Sequence, residues 1–229
     1  MPSYKKHILF SLVIALPFFP DVFYLALAVI GASIIDLDHH VKKKNLMLMA
    51  FFGILIALIF YVFNLPYTLG IILIVLALIF QVSKHRGFMH SFFGTTLITL
   101  FLTLFIMGSY LLLLGFPLNL KVILIAVTLF LGLMILNKNL IIPYSVLVTI
   151  GIIFSPNLVL NPYYIFLALF LGCLSHIVLD LFSTTGVRLF NPLFNRKFRK
   201  MSGIALIILW GLVVVLSFFA GRIPLYGFL

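Results

Sequence analysis

Long apolar runs that are almost free of charge constrain this chain more than any other feature. A helix needs about 20 apolar residues to cross the roughly 30 Å core of a bilayer, and several runs approach that length. Hydrophobic residues make up 65% of the 229 residues and charged residues only 8%, whereas soluble domains carry about 25% charged residues. A soluble protein could not cover its surface with so few charges. We therefore predict one integral membrane domain over residues 1–229, without a soluble module.

The charge of the chain is strongly positive, with 15 Lys and Arg against four acidic residues, all of them Asp. The basic residues lie in short loops and tails, as the positive-inside rule expects for the cytoplasmic side of a membrane protein. They lack the interleaved aromatic side chains of a single-strand binding groove, so we expect no nucleic-acid partner. Cys173 is the only cysteine, which excludes an intrachain disulfide and a thiolate metal cluster.

Breaks in the apolar pattern divide most of the chain into seven predicted membrane helices. The breaks contain Pro and Asn and lie at Asn64–Pro66, Phe116–Pro117, Asn137–Asn139 and Ser155–Asn157. The predicted helices are Asn45–Phe63, Thr68–Val82, Ser91–Leu114, Leu120–Leu136, Leu140–Phe154, Pro162–Phe182 and Ser202–Ala220. The predicted fold class is therefore all-α, a polytopic transmembrane bundle with about seven spans.

The segment Ile8–Ile35 allows two predictions. Its length suits one span, which places Lys5–Lys6 on the opposite face from Lys42–Lys44. Alternatively, Pro17 and Pro20 break the helix and Asp21 caps a second one, which makes a re-entrant helical hairpin. We prefer the hairpin because it returns the chain to the same face, and such a turn is tolerated where it is buried in protein or lines a cavity.

With the N-terminus inside, the hairpin places most of the basic residues on the cytoplasmic face. The outer loops are then nearly free of charge, apart from Lys121, and Arg222 near the C-terminus also falls outside. This orientation predicts a shared cytoplasmic position for His7, Asp38, His85 and His176. The basic stretches that it places inside are Lys42–Lys44, Lys84–Arg86, Lys138 and Arg196–Lys200.

Polar and ionisable residues interrupt the apolar background in four short clusters. Ionisable side chains are costly inside a membrane and therefore indicate function by default. Five of the six His and three of the four Asp lie in the last three clusters. The clusters are His7, Asp36–His40, His85–Ser91, and Ser175–His176 with Asp180.

His176 and Asp180 form the most informative pair. Positions i and i+4 share one face of a helix, so this imidazole and this carboxylate can bind one divalent cation, or Asp180 can orient His176. The alternative is a buried hydrogen bond that only joins helices.

Asp36, Asp38 and His39 follow the end of a hydrophobic segment. Paired carboxylates followed by an imidazole suit Zn²⁺, Mn²⁺ or Mg²⁺. The alternative is a solvated loop at the membrane interface, and we expect His40 to be solvated rather than to bind a metal.

The stretch His85–Ser91 opens a long helix. His90 is predicted to project from the first turn, with Ser91 or Ser83 as a helix cap. Arg86 can hold a phosphate or a carboxylate through two parallel hydrogen bonds, and the alternative is that it only anchors the topology. Gly87 permits a positive φ or a close backbone approach.

The two remaining polar elements are less specific. His7, beside Lys5–Lys6, is either a further ligand or a solvated interfacial side chain. The stretch Ser183–Gly186 follows Asp180 and is predicted to end the helix, with Gly186 in the left-handed conformation. Its hydroxyls serve either the site or only the helix end.

These motifs resemble those of the YdjM-type family of inner-membrane proteins, described as membrane-bound metal-dependent hydrolases. The resemblance runs from His7 to Pro192 through four elements in the same order. They are His7–Ser11; Asp36–His39, similar to Asp-x-Asp-His; His85–Ser91, similar to His-Arg-Gly-x-Thr-His-Ser; and Ser175–Asp180, with Gly186, Val187 and Pro192 after it. Three positions depart from the family pattern: Ile35 and Thr184 stand where Pro is usual, and Met89 stands where Thr is usual.

A looser likeness extends to zinc-dependent phospholipases C and P1-type nucleases. Those enzymes also combine an early His, an Asp, later His residues and a His-x-x-x-Asp helix, so the likeness implies phosphoester chemistry. This chain has no Glu and lacks the His-x-x-x-Glu element of a full three-metal site. We therefore expect one or two metals.

The leading hypothesis is a metal-dependent hydrolase in the plasma (inner) membrane. Its site would face the cytoplasm and act on a phospholipid or another amphiphilic phosphoester, with Zn²⁺ as the first metal candidate. The expected ligands are His90, His176, Asp180 and one of Asp36 and Asp38, with the other Asp as general base or orienter. Arg86 would stabilise negative charge that develops on the substrate. The full set of candidate ligands is His7, Asp36, Asp38, His39, His85, His90, His176 and Asp180.

Two other classes of function compete with this hypothesis. In a cation or proton transporter the same His and Asp would bind a travelling ion, and the site should lie near the membrane midplane. In a structural or regulatory membrane protein the cluster would only lock helices together, and the purified protein should hold no metal.

Overall fold

The computed structural model of the protein describes residues 3–39, 42–156 and 158–220, and the predictions for His40, Asn157 and Arg222 lie outside them. In this part of the chain the regular structure is helical, apart from an isolated antiparallel bridge between Val187 and Phe198. The prediction of an all-α fold is confirmed. The described α-helices are α1 (Tyr4–Ala15), α2 (Val22–Ile34), α3 (Lys43–Val62), α4 (Thr68–Val82), α5 (Phe92–Leu114), α6 (Leu120–Ile135), α7 (Lys138–Phe154), α8 (Pro162–Leu181) and α9 (Lys200–Phe219).

The seven predicted membrane helices correspond to α3 through α9, although they differ in length. Among the described residues, the helices long and apolar enough to cross a bilayer are the four helices α3, α5, α8 and α9. Helices α4, α6 and α7 are apolar but have 15, 16 and 17 residues, which is about 22–26 Å at 1.5 Å per residue. The chain is therefore a helical membrane protein, and the count of seven spans stays a prediction.

The N-terminal segment forms two helices rather than one span. Helices α1 and α2 have 12 and 13 residues, or about 18–20 Å, and pack against each other. His7 near the start of α1 and Asp36 after the end of α2 both lie beside His176. Since the two outer ends of the pair meet at one place, the helices run in opposite directions, and the hairpin prediction is confirmed.

The turn of the hairpin lies at the opposite end of the bundle from His7. Phe19 in this turn is buried and packs against the rings of Tyr24 and Tyr164. Asp21 occupies the N-cap position of α2, as predicted, but its side chain makes no capping hydrogen bond. Its carboxylate instead accepts a hydrogen bond from the Ser155 hydroxyl at 3.1 Å, so the turn is fastened to the segment that follows α7.

Helix α8 is the central helix of the bundle. In its 18-residue apolar window 61% of residues are buried, compared with 6% for α9. Helices α2 and α8 lie backbone against backbone: a Cβ on Gly31 would meet the Leu169 oxygen at 2.2 Å, and one on Gly172 would meet the Ala28 oxygen at 2.1 Å. Small residues at such contacts let membrane helices approach closely. This contact brings the end of α2 directly alongside His176.

One end of the bundle collects the polar clusters, and the other end carries Lys121. At the first end, the Lys42 ammonium donates to the Ile135 carbonyl at 3.2 Å, which joins the start of α3 to the end of α6. At the other end, the Lys121 ammonium donates to the Ile153 carbonyl at 2.8 Å, in the last turn of α7. That carbonyl belongs to the negative end of a helix dipole, which explains a basic residue on the face predicted to be free of charge.

Candidate metal centre

Four chain segments bring their polar side chains to one buried site at the end of α8. His7 comes from the first turn of α1, and Asp36 and Asp38 come from a 3₁₀ turn, Ile35–Asp38, that follows α2. The imidazoles of His7, His90 and His176 and the carboxylate of Asp180 are buried, with exposed fractions of 4% or less. The alternative of a solvated His7 is therefore wrong. The segment between α4 and α5 contributes His85, Arg86 and His90, and α8 contributes His176 and Asp180.

The orientation of His176 is fixed by α2. Its Nδ1 lies 2.6 Å from the carbonyl oxygen of Ala32. Because a carbonyl can only accept, Nδ1 carries the proton and Nε2 keeps a lone pair in the neutral ring. That lone pair lies 3.4 Å from Oδ1 of Asp36 and 3.7 Å from Oδ2 of Asp180. Three electron-rich atoms face one another here, an arrangement that a cation between them would stabilise.

Asp180 lies among three imidazoles. Its Oδ2 is 3.5 Å from Nε2 of His90 and 3.7 Å from Nε2 of His176, and its Oδ1 is 3.9 Å from Nε2 of His7. Nε2 of both His90 and His176 thus lies within 4 Å of Asp180 Oδ2, as a ligand set shared by these three residues requires. These separations are too long for direct hydrogen bonds, so a His176–Asp180 hydrogen bond that joins helices is not present. The ring of His7 stacks on that of His176 at 3.9 Å between centroids.

His90 was predicted in the first turn of α5, but it lies before that helix. It ends a 3₁₀ turn, Phe88–His90, and α5 begins at Phe92. The prediction of a cap at Ser91 is confirmed, since its Oγ accepts a hydrogen bond from the Gly94 amide at 3.1 Å. The tight turn before the cap points the imidazole of His90 back into the bundle, towards α8.

Asp38 lies behind His90, on the side away from Asp180. Its Oδ2 is 3.3 Å from Nδ1 of His90, and its Oδ1 accepts a hydrogen bond from Nδ1 of His85 at 2.8 Å. Burial alone lowers the pKa of the His90 imidazole, but the Asp180 and Asp38 carboxylates on its two sides raise that pKa to about 9. The ring is thus held between two negative charges.

The carboxylates of the 3₁₀ turn stay ionised. Burial raises the pKa of Asp36 and of Asp38, but the imidazole of His176 beside the first, and those of His85 and His90 beside the second, hold both below the usual range. The side chain of Asp38 is fully buried, whereas that of Asp36 is 26% exposed. The solvated-loop alternative is therefore wrong for Asp38, and the site opens to its surroundings beside Asp36.

Arg86 points into the site and does not act only as a topology anchor. It donates through Nη2 to Oδ1 of Asp180 at 3.1 Å and through Nη1 to Oγ of Ser183 at 2.8 Å. Nη1 also donates to the hydroxyl of Thr185, so the hydroxyls after α8 contact the site. Ser183 at the same time donates to the Asp180 carbonyl at 2.7 Å, which satisfies the helix end as well.

The unusual backbone angle in this stretch belongs to Arg86 rather than to Gly87. Arg86 has a φ of 58°, a strained conformation that non-glycine residues adopt mainly at functional sites. Gly87 instead fits the second prediction, a close backbone approach, because a Cβ there would meet the Lys84 carbonyl oxygen at 2.7 Å. Gly186 has a φ of 67°, which confirms the predicted left-handed residue after Asp180.

Buried polar atoms without a hydrogen-bond partner are concentrated in this site. Buried polar groups are otherwise almost always paired, so their accumulation at one place indicates a ligand. In the described residues these atoms are Nδ1 of His7, Oδ2 of Asp38, Nε2 of His85, Nε of Arg86, both ring nitrogens of His90, and Nε2 of His176.

The described part of the chain holds three overlapping groups of ligand atoms, and within each group the atoms lie within 4.8 Å of one another. The groups leave out His39, whose ring instead packs edge-on against that of His85 at 4.9 Å. The groups are His7, His176 and Asp180; Asp36, His90 and His176; and Asp38, His85 and His90.

The contribution of α2 to this site was not visible in the sequence motifs. The Ala32 carbonyl orients His176, and a backbone oxygen leaves no residue signature. Gly31 and Gly172 make the close approach of α2 possible. Ala168 and Gly172 have the spacing of small residues that signals a close helix contact, but the sequence does not say which two helices meet.

Comparison with known proteins agrees with the resemblance in the motifs. The model of one family, described as YdjM inner membrane protein, matches residues 1–226. No curated protein and no solved structure matches the chain. The looser likeness to zinc-dependent phospholipases C and P1-type nucleases therefore has no support.

Proposed function

This chain belongs to the YdjM inner membrane protein family, and within that family we propose that it acts as a metal-dependent hydrolase with one divalent-cation site. The observation that carries the proposal is the Nε2 lone pair of His176, held between the carboxylates of Asp36 and Asp180. Imidazole nitrogen and carboxylate oxygen are the donors that Zn²⁺ binds in catalytic sites. Mn²⁺ and Mg²⁺ are the alternatives.

The contacts suggest a division of roles among the residues. Asp36, His90 and His176 form one of the groups of ligand atoms, and Asp180 lies beside Nε2 of both His90 and His176. These four residues are therefore the proposed ligands, with His7 on the Asp180 side. Asp38 contacts the other nitrogen of His90. A carboxylate behind a ligating imidazole fixes its tautomer and orientation, and we assign that role to Asp38.

The charges of the site favour one divalent cation over two. Asp36, Asp38 and Asp180 contribute three negative charges and Arg86 one positive charge. With neutral imidazoles the site carries a net charge of about −2, and uncompensated charge is costly at membrane depth. One divalent cation neutralises it, whereas a second would leave an excess of positive charge.

The proposed reaction is hydrolysis of a phosphoester or a similar ester. A divalent cation, when bound, lowers the pKa of a coordinated water towards about 7 and polarises the scissile group. Asp36 is the most exposed of the three carboxylates, so substrate and water reach the site beside it, and its second oxygen can accept a proton. The Nε of Arg86 is buried without a partner and can donate to a developing negative charge on the substrate.

The position of the site favours an enzyme over a carrier. His7, His90 and Asp180 lie at helix ends, whereas carrier sites lie near the midplane of the membrane. A site at the depth of lipid head groups suits a phospholipid or another amphiphilic phosphoester. We propose that this end faces the cytoplasm, since the basic loops lie there.

Metal analysis of two purified histidine variants tests the proposal. The wild type should hold about one divalent metal per chain and hydrolyse phospholipid phosphoesters only when loaded. His176→Ala should lose both, whereas His39→Ala, a matched change at the same end, should keep the metal. Absence of metal from the wild type in buffers containing Zn²⁺, Mn²⁺ or Mg²⁺ would overturn the proposal in favour of a structural role.

A further inference from the structure

The middle of α3 packs against the first half of α4, and the two helices separate towards the metal centre. At the contact, a Cβ on Gly53 would meet the Gly70 oxygen at 3.0 Å, and a Cβ on Gly70 would meet the Gly53 oxygen at 2.4 Å. Between this contact and the metal centre the two helices enclose a cavity of about 860 Å³, with Ile54 and Ile74 at its deep end. That volume lies within the range of small-molecule sites, roughly 300–1,000 Å³. We call this cavity the α3–α4 cleft.

The walls of the cleft are apolar and open to the side. Met47 and Leu78, on opposite walls, are 71% and 54% exposed, so the cleft is accessible from the lipid that surrounds the bundle. Its length along α3, from Lys43 to Ile54, is about 16 Å at 1.5 Å per residue. This is about half of the 30 Å bilayer core, which is the depth of one leaflet. The apolar wall residues include Leu46, Met47, Ala50, Ile54, Ile74 and Leu78.

The end of the cleft nearest the metal centre is polar and positive. Lys43 and Lys84 line it and are exposed. Asp38 also lines it, but its carboxylate is fully buried and accepts the hydrogen bond from His85, so the accessible charges there are positive. Because Asp38 contacts His90 with its other oxygen, this wall separates the mouth of the cleft from the proposed metal ligands.

We propose that the α3–α4 cleft binds one acyl chain of an anionic phospholipid from the surrounding bilayer and places its phosphate between Lys43 and Lys84, beside the metal centre. The apolar walls match the chain in length and the lysines match the head group in charge; basic residues near a membrane surface attract anionic lipid. That this lipid is the substrate rests on the proposed function, whereas its binding does not. The cleft thus brings the lipid sideways from the membrane to the wall formed by Asp38, at the edge of the metal centre.

Photo-crosslinking tests the binding without any need for activity. The purified full chain is reconstituted with phosphatidylglycerol that carries a diazirine on one acyl chain, or with the matching phosphatidylcholine, and the labelled peptides are mapped by mass spectrometry. We expect labelling of the facing walls of α3 and α4, stronger for phosphatidylglycerol. Labelling spread evenly over the lipid-facing helices, or equal labelling by both lipids, would overturn the proposal.

Variants separate the cleft from other apolar surface. Ala50→Trp fills the cleft and should lower the labelling of α4 about tenfold, because overpacking an occupied apolar site is costly. If this variant unfolds, Leu78→Trp fills the cleft from the other wall and should lower the labelling in the same way. Ala126→Trp fills a different apolar cavity, between α3, α5 and α6, and should leave the labelling unchanged. Lys43→Gln and Lys84→Gln should each lower the preference for phosphatidylglycerol about fivefold. Unchanged labelling in both Trp variants contradicts the proposal.

The same labelling distinguishes this inference from the proposed function. Labelling is repeated after removal of metal by a chelator and in His176→Ala. Cleft labelling that persists, in a protein without metal or hydrolysis, would retain the lipid site and reject the hydrolase. Metal-dependent hydrolysis of phosphatidylglycerol that is unaffected by Ala50→Trp would retain the hydrolase and reject the cleft as the site from which its substrate comes.

Discussion

Replacement of Asp180 by Asn is the sharpest test of the metal centre. The carboxylate lies 3.5 Å from His90 Nε2 and 3.7 Å from His176 Nε2, and it pairs with Arg86 at 3.1 Å. Asn keeps the volume and can still accept a hydrogen bond from Arg86, but it removes the negative charge. It also presents an amide N–H to the two imidazole lone pairs, so it can satisfy them without a cation.

The expected loss is 10–100-fold or more in metal affinity. If metal is supplied at 100 times the wild-type dissociation constant, binding stabilises the wild type by about 2.7 kcal/mol. The same concentration stabilises a variant with tenfold weaker binding by about 1.4 kcal/mol, and one with 100-fold weaker binding by about 0.4 kcal/mol. The signal is therefore a loss of half or more of the metal-dependent stabilisation.

The assay compares unfolding of each purified protein with metal and with a chelator. The metal-free variant also loses the negative charge that pairs with Arg86, so its absolute stability falls whichever role Asp180 has. Only the difference between the two conditions reports on metal binding. Asp21→Asn is the matched control, since Asp21 contacts Ser155 at the far end of the bundle; it should keep the full metal-dependent difference.

A different outcome would refute this reasoning. If Asp180 only joins helices, the variant should lose about 1 kcal/mol of stability, and its metal content and metal-dependent stabilisation should equal those of the wild type. That result would remove Asp180 from the ligand set.

Three further predictions follow from the fold and the site. The His90 pKa of about 9 exceeds its unfolded value near 6.5, so its proton stabilises the metal-free fold below about pH 6.5, and this stabilisation is lost as the pH rises through 9. Because metal displaces that proton, metal-dependent stabilisation should grow from pH 6.5 to 9. A flat profile would contradict His90 as a ligand. Gly172→Ala, whose Cβ would meet the backbone of α2 at 2.1 Å, should push α2 away from α8 and lower the metal content. Gly211→Ala, whose Cβ would have nothing within 4 Å, should keep the metal content of the wild type. Equal metal content in both variants would show that the close contact does not position the site. Single cysteines at Lys44 and Leu118, in a cysteine-free background, should react with impermeant reagents from the cytoplasmic and the opposite side respectively, and labelling from the same side would overturn the topology.

The apolar pattern predicted most of the helices, because a helix in a membrane is a local structure. Every backbone donor and acceptor must be paired within the segment itself, so the length of an apolar run predicts a helix without knowledge of its neighbours. Helix α4 was predicted at Thr68–Val82 and begins and ends there. The hairpin did not follow from the local pattern, since Pro17 and Pro20 allow a kink as well as a turn, and the choice depended on the distribution of Lys and Arg.

The residues that belong to the candidate site could be predicted for a similar reason. Ionisable side chains are expensive in an apolar environment, so the few that a membrane protein retains have to meet one another. His90, His176 and Asp180 were named on that ground, and they do converge. His39 was named on its place in the sequence alone, and it packs against His85 outside the groups of ligand atoms in the described residues.

The tertiary structure decided which atom of each side chain faces which partner. The two nitrogens of His176 are equivalent in the sequence, and the Ala32 carbonyl on α2 makes one a donor and leaves the other a lone pair. Asp36 and Asp38 are two residues apart, yet the 3₁₀ turn sends one to His176 and the other behind His90. These differences arise because a short turn and a close helix contact, each set by packing across the bundle, determine direction, whereas sequence spacing determines only proximity.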